Sequence, residues 1–296
     1  MGGVLRLLGL LILAAVVAGV WLSRPMSVSE GDLAGLVGDA QAGEAVFWAA
    51  GCASCHEAED AEGDARLILS GGQAFPSDFG TFRAPNISSD PTHGIGDWTL
   101  AEFVTAVQNG VSPEGQHYYP AFPYTAYRLA TRQDIVDLYA FMQTLPASDL
   151  PSEPHDVGFP FSIRRAVGAW NLLYAQNEFT VSGDLSVEES RGRYLAEALA
   201  HCGECHTPRG ALGGLDRAQW FAGAPDPSGR GTVPNITPAG LGWSADEIAA
   251  YLNDGFTPEF DVAGGHMRSV VLNMGQLNED DRAAIAAYLL AVPHAD

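Results

Sequence analysis

Cys52-Ala53-Ser54-Cys55-His56 and Cys202-Gly203-Glu204-Cys205-His206 are the two stretches on which the reading of this chain turns. Each is a Cys-x-x-Cys-His, the pattern through which a c-type haem is joined covalently to protein. The two thiols add to the porphyrin edge, and the histidine ligates the iron from the proximal side. Together the motifs use all four cysteines of the 296-residue chain. A disulfide framework would leave the adjoining histidines without a role. A zinc site needs four ligands close together and would have to pair half-sites far apart in sequence. A thioredoxin-like dithiol has no reason to occur twice, each time with histidine after it. The expectation is two covalently bound haem c groups, attached at Cys52, Cys55, Cys202 and Cys205, with His56 and His206 as proximal iron ligands.

The similarity extends beyond the pentapeptides. Pro85-Asn86-Ile87 recurs as Pro234-Asn235-Ile236, and Trp98-Thr99-Leu100-Ala101-Glu102 recurs as Trp243-Ser244-Ala245-Asp246-Glu247. Gly110 and Gly255 follow at the same distance. Two copies of one small helical module are implied. The fold class expected is all-α: two tandem c-type cytochrome domains behind an N-terminal transmembrane or signal helix. Residues 1–29 form the anchor or signal segment, 30–148 the first domain, 149–184 a linker with a bracing helix, and 185–296 the second domain.

Within each copy, the first helix runs into the haem motif from about Gly43 or Ser190. The second starts at Thr99 or Ser244, where a hydroxyl and a glutamate three residues on make a capping box, and stops at its glycine. The last starts at Thr131 or Asn278 and ends before Pro146 or Pro293. Ile135, Leu138, Tyr139, Met142 and Leu145 fall at helical spacing and should face the haem or the first helix. Modules this small bury little apolar surface, so the covalently held ring is expected to supply much of each core. Between the modules, Phe159 to Tyr174 reads as one amphipathic helix.

Residues Val4 to Leu22 are apolar apart from Arg6, a length close to the minimum for crossing a bilayer. No small-x-small cleavage site follows, and Trp21 suits the membrane interface. An uncleaved anchor in the inner membrane is expected, with the modules exported to its periplasmic side. Net charge is −21 with 15 arginines and no lysine. Positions 30–150 carry 17 acidic and 4 basic residues, and 151–296 carry 19 and 9. Such a surface repels nucleic acid and anionic lipid, and attracts a basic redox partner.

The sixth iron ligand separates the copies. Counted from the paired tryptophans, Met267 falls opposite Phe122. A Met267 thioether would give His/Met coordination at the second iron, which raises the potential and closes the iron to small molecules; His266 and Met274 are the alternatives. Phe122 has no lone pair. The first iron is left with His117 on the same loop, His93 in Thr92-His93-Gly94, or an open position. A bis-histidine first haem would lie below the second in potential and order the pair for flow from first to second.

Ala84-Pro85-Asn86-Ile87, Tyr119-Pro120-Ala121-Phe122-Pro123-Tyr124, Phe159-Pro160-Phe161 with Arg164, Trp170-Asn171-Leu172 and Cys205-His206-Thr207-Pro208-Arg209 carry a family likeness. The chain resembles the cytochrome c subunits of membrane-bound bacterial dehydrogenases acting on alcohols, gluconate, sorbitol and fructose. The resemblance implies electron transfer from a dehydrogenase donor toward a cytochrome or oxidase acceptor in the respiratory chain. It departs at two points: the family usually carries three haem motifs against two here, and its loop methionine is Phe122. No serine-histidine-acid set, phosphate loop or Rossmann glycine pattern occurs. The leading expectation is a membrane-tethered dihaem relay that transforms no substrate itself. The alternative is a dihaem enzyme such as a peroxidase, with an open or displaceable ligand at the first haem.

Overall fold

The internal repeat of the sequence is built twice in space. The computed structural model describes residues 2–226, 229 and 231–293. Met1 of the leader and positions 294–296 of the second segment lie outside the described residues. The leader forms one helix, α1 (Gly2–Leu22), with no buried residue. Module one holds α2 (Ala40–Ala49), α3 (Cys52–His56), a hairpin of β1 (Ala74–Ser77) and β2 (Gly80–Arg83), then α4 (Leu100–Asn109), α5 (Tyr124–Tyr127) and α6 (Arg132–Met142). Helix α7 (Arg164–Tyr174) leads to module two. There follow α8 (Val187–Arg193), α9 (Gly203–His206), a hairpin of β3 (Ala224–Pro225) and β4 (Thr232–Val233), α10 (Pro238–Leu241), α11 (Ala245–Asp254), α12 (His266–Met274) and α13 (Glu279–Ala291). The short hairpins, pairing Ala74 with Arg83 and Ala224 with Val233, are strands that the all-helical reading lacked. Both lie between the haem motif and the Pro-Asn-Ile segment, and turn the chain back toward the motif histidine.

Local chemistry sets the helix ends. Thr99 and Ser244 accept from the amides of Glu102 and Glu247, whose carboxylates reach back to the cap amides. Gly110 and Gly255 end α4 and α11 in the left-handed conformation, at φ 62° and 80°. Thr131 and Asn278 cap α6 and α13 through the amides of Asp134 and Asp281. Helices α2 and α8 begin three residues earlier than the motif pattern suggested. Their caps explain it: Asp39 accepts from the amides of Gln41 and Ala42, and Ser186 forms a further capping box with Glu189.

The core of each module is the crossing of its first and last helices, α2 on α6 and α8 on α13. Glycines permit the close approach: a Cβ on Gly43 would lie 2.0 Å from the Asp137 carbonyl oxygen, and one on Gly192 would lie 1.8 Å from that of Ala284. Phe47 and Ile135 in one crossing, and Leu195, Ile285 and Tyr288 in the other, are buried. Each such side chain contributes roughly 1.5–3 kcal/mol of transfer free energy. The copies differ by one residue in this stretch. Gly43 stands nine positions before Cys52, and Gly192 ten before Cys202. The extra residue is absorbed as a π-turn over Tyr194–Leu199, just before the motif.

Helix α7 starts at Arg164 rather than Phe159, because the proline at 160 is followed by turns that close Ser162 onto Gly158 and Ile163 onto Pro160. It bonds to both modules. Tyr124 donates its hydroxyl to Asn171 Oδ1 at 2.7 Å, and Trp170 Nε1 donates to the Leu212 carbonyl at 2.8 Å.

Candidate functional site

Each Cys-x-x-Cys-His occupies a single helical turn, α3 or α9, so the thiols and the imidazole share one short rigid element. The histidines are held alike. His56 Nδ1 donates to the Pro85 carbonyl at 2.8 Å, and His206 Nδ1 donates to the Pro234 carbonyl at 2.7 Å. A carbonyl can only accept, so the proton sits on Nδ1 and the Nε2 lone pair is left for a metal. Burial lowers the pKa of both imidazoles against the pull of those carbonyl bonds, which keeps them neutral. Further matching bonds hold the frame: Gly71 and Gly223 donate their amides to the His56 and His206 carbonyls, and Ile87 and Ile236 donate to Leu69 and Phe221. The duplicated Pro-Asn-Ile therefore orients the proximal ligands.

Cys52, Cys55 and Cys202 are partly buried, and Cys205 is exposed. Burial, with the other thiol of the motif adding to it, pushes Cys52 and Cys202 up to about 12. Burial likewise pushes Cys55 to about 12, with Cys205 of the other motif contributing next. A redox dithiol or zinc ligand needs the reverse, a depressed pKa. Among the described residues, no three His, Cys, Asp or Glu side chains converge on a common metal position. Neutral thiols flanking an imidazole with a free Nε2 suit thioether attachment and iron ligation.

The two motifs face each other. Tyr127 is buried between them: its hydroxyl donates to the Ala50 carbonyl at 2.7 Å, and its ring lies edge-on to His201 with centroids 5.5 Å apart. His201 precedes Cys202 as Gly51 precedes Cys52, and both have positive φ, 43° and 68°. The His201 ring donates Nδ1 to the Leu199 carbonyl at 2.8 Å. Contacts are reciprocal: Thr125 on α5 donates to Glu204 at 3.1 Å, and Asn273 on α12 donates to Ser54 at 2.8 Å. Ser54 and Glu204 hold the same position in their motifs, so each module's ligand-loop helix rests on the other module's haem turn. Fully buried Asn273 also accepts from Arg66 at 2.6 Å, and Arg66 pairs with Glu57 at 2.7 Å.

The sixth-ligand residues lie as follows. Met267 is in the first turn of α12, partly buried against the core, whereas Phe122, its match in the sequence repeat, lies in the turn before α5; the loops that lead to them carry matching bridges. Val111 pairs with His117 as Phe256 pairs with Val262. Phe122 packs on Tyr118 and Tyr127. His117 is turned to the corner between α1 and α7, where its Nε2 donates to the Ser23 carbonyl at 3.1 Å and the Arg164 guanidinium donates to its own carbonyl at 3.0 Å. Its Nδ1 is buried without a hydrogen-bond partner among the described residues. His93 lies on a loop with Nδ1 3.5 Å from Asp90. Arg83 and Arg209, basic residues close to the haem motifs, pair with Glu153 and Glu204.

Tyr127, His201, Asn273 and Arg66 were not singled out by the sequence. One signal was available for His201: at the position before the first motif cysteine, one copy has glycine and the other histidine.

These features define a two-domain c-type cytochrome. The chain belongs to the cytochrome c family, whose model matches residues 40–146 and 190–293, one match for each module. It is 58% identical over 283 residues to a diheme cytochrome c-type protein of Cereibacter sphaeroides, covering 96% of both chains. Against the fructose dehydrogenase cytochrome subunit of Gluconobacter japonicus it is 38% identical over 252 residues, covering 83% of this chain and 51% of that one. Against the gluconate 2-dehydrogenase cytochrome c subunit of Pantoea cypripedii it is 32% identical over 260 residues, covering 83% and 58%. The chain therefore spans just over half the length of those dehydrogenase subunits. Two family segments, two attachment turns and a dihaem relative agree: the protein carries two c-type haems and works in electron transfer.

Proposed function

We propose that the chain is a membrane-tethered relay, held by α1 on the periplasmic side of the inner membrane, passing electrons from a dehydrogenase to the respiratory chain. The observation that carries this reading is the meeting of the two haem turns at one interface, across Tyr127 and His201. Bound haem supplies one-electron ferrous/ferric chemistry. The residues supply the rest. Cys52, Cys55, Cys202 and Cys205 fix the rings, and His56 and His206 hold the proximal side with Nε2 while Nδ1 is tied to a proline carbonyl. Met267 is the residue of module two that would offer a thioether to the iron, which would raise that potential above the one of module one and favour flow from module one to module two. Tyr127 and His201 fill the space between the turns and exclude water. The acidic surface speeds encounter with a basic partner at low salt.

Dehydrogenase subunits among the relatives support such a donor. The test is membrane vesicles from cells lacking this chain. Substrate-driven reduction of the respiratory chain by the donor dehydrogenase is expected to fail and to return with the intact gene. Undiminished reduction refutes the relay.

A second reading has its own observation: Phe122 stands where the sequence repeat has Met267, and His117 Nε2 donates to the Ser23 carbonyl. An open first iron suits a dihaem peroxidase. Low-temperature electron paramagnetic resonance separates the two, since the relay requires two low-spin haems and the enzyme a persistent high-spin signal.

A further inference from the structure

The stem that joins α1 to module one is strapped down rather than flexible. Val28 donates its amide to Thr105 Oγ1 at 2.9 Å, Asn109 donates to the Met26 carbonyl at 2.9 Å, and His117 donates to the Ser23 carbonyl. Arg165, in the first turn of α7, donates to the carbonyls of Val20 and Ser23, which the end of α1 leaves open. Its side chain lies in a shallow apolar recess with Val16, Val17, Val20 and Trp21. The start of α7 therefore sits beside the last two turns of α1.

Depth follows from length. A helix of 21 residues rises about 32 Å, close to the roughly 30 Å hydrocarbon thickness of a bilayer. If α1 spans, its last turns reach the lipid boundary, and an element fixed beside Val16 to Trp21 lies at that level. Apolar side chains stand exposed on α7 and on the turns before it: Leu173 is 64% exposed and Leu172 54% on the helix, and Phe159 is 84% exposed ahead of it, with Phe161 and Ile163 also exposed. Charge agrees. Residues 157–177 contain Arg164 and Arg165 and no acidic residue, in a chain of net charge −21. The two guanidiniums are committed to the carbonyls of His117, Val20 and Ser23, so what the segment offers at the end of a spanning helix is an apolar side with no carboxylate to repel anionic headgroups.

We propose that the 159–173 segment is a second membrane contact, lying in the headgroup region of an anionic phospholipid surface and fixing the orientation of both modules on the membrane. The proposal rests on the reading of α1 as an uncleaved anchor. The test uses the full-length haem-loaded protein in vesicles of phosphatidylcholine with a minority of phosphatidylglycerol and a diazirine phosphatidylcholine, with photoadducts mapped by peptide mass spectrometry. Adducts are expected on residues 4–22 and on 159–173. They should fall to background on 159–173 alone in a Phe159→Ser/Leu172→Ser/Leu173→Ser variant that keeps its haem absorbance. Adducts confined to 4–22 in the unaltered protein overturn the second contact and leave the tether standing. Adducts on neither segment overturn both, and label spread as heavily over α11 and α13 overturns the second contact.

Discussion

Module one and module two share a scaffold and differ where chemistry is decided. Both cross their first and last helices over a glycine, cap α4 and α11 with the same box, and tie the motif histidine to a proline carbonyl. Among the places where they part, Phe122 stands against Met267 in the sequence repeat, and Gly51 against His201. Module one alone carries the attachment to α1, through His117 and Thr105. The shared scaffold holds the two motif histidines alike, and the matched loops then offer a phenylalanine in one module and a methionine in the other.

The largest break in the comparison comes from the proximal side. His56→Ala or His206→Ala should each halve the pyridine-haemochrome yield per chain or the fraction of low-spin haem, and leave the other module's spectrum intact. Loss of both haems from one substitution would mean that the modules do not mature separately.

Exchange of the distal residues should follow in size. Met267→Ala is expected to lower the potential of the second haem toward that of the first and to admit carbon monoxide to the reduced form. Phe122→Met should raise the potential of the first haem. A redox titration with carbon monoxide difference spectra reads both, and an unchanged titration curve for Met267→Ala removes Met267 as ligand.

The interface comes next. Asn273→Leu removes the partner of Ser54 and of the buried Arg66, a loss of about 1–3 kcal/mol for stranded polar groups. Thermal unfolding should show the modules melting closer to independence, because a reciprocal contact is broken. Retention of a single unaltered transition would place the coupling elsewhere.

The smallest effects sharpen the likeness. Thr99→Ala and Ser244→Ala should cost about 1 kcal/mol each, in parallel, when measured by denaturant midpoint. The Glu247 carboxyl is held below its usual value by the hydrogen bonds from Ser244. A carboxyl depressed in the folded state adds stability that is full above the ordinary glutamate value of 4.5 and is lost as pH falls through the lower folded value. Ser244→Ala should therefore flatten the acid side of the stability profile, and melts from mildly acidic to strongly acidic pH read that slope.

How much was legible follows from the range of each signal. Cys-x-x-Cys-His, the capping boxes at Thr99 and Ser244, and the stops at Gly110 and Gly255 act over a few residues, so the attachment turns and most helix boundaries could be read from the chain alone. The repeat made the module count legible as well. The hairpins between motif and proline were missed because their strands are only two to four residues long and carry no strong alternation. The start of α7 moved because a proline at 160 outweighed the helical spacing around it.

By itself, the sequence determined two c-type haems, two Cys-x-x-Cys-His turns, a duplicated helical module and an apolar leader, since each is written in neighbouring residues. Only the tertiary structure decided that the haem turns face each other, that Asn273 reaches Ser54 across 219 positions, and that His117 serves the stem of α1 as placed. The physical reason is that these partners are chosen by how whole helices pack, and a side chain's nearest polar group in space carries no mark in the residues beside it.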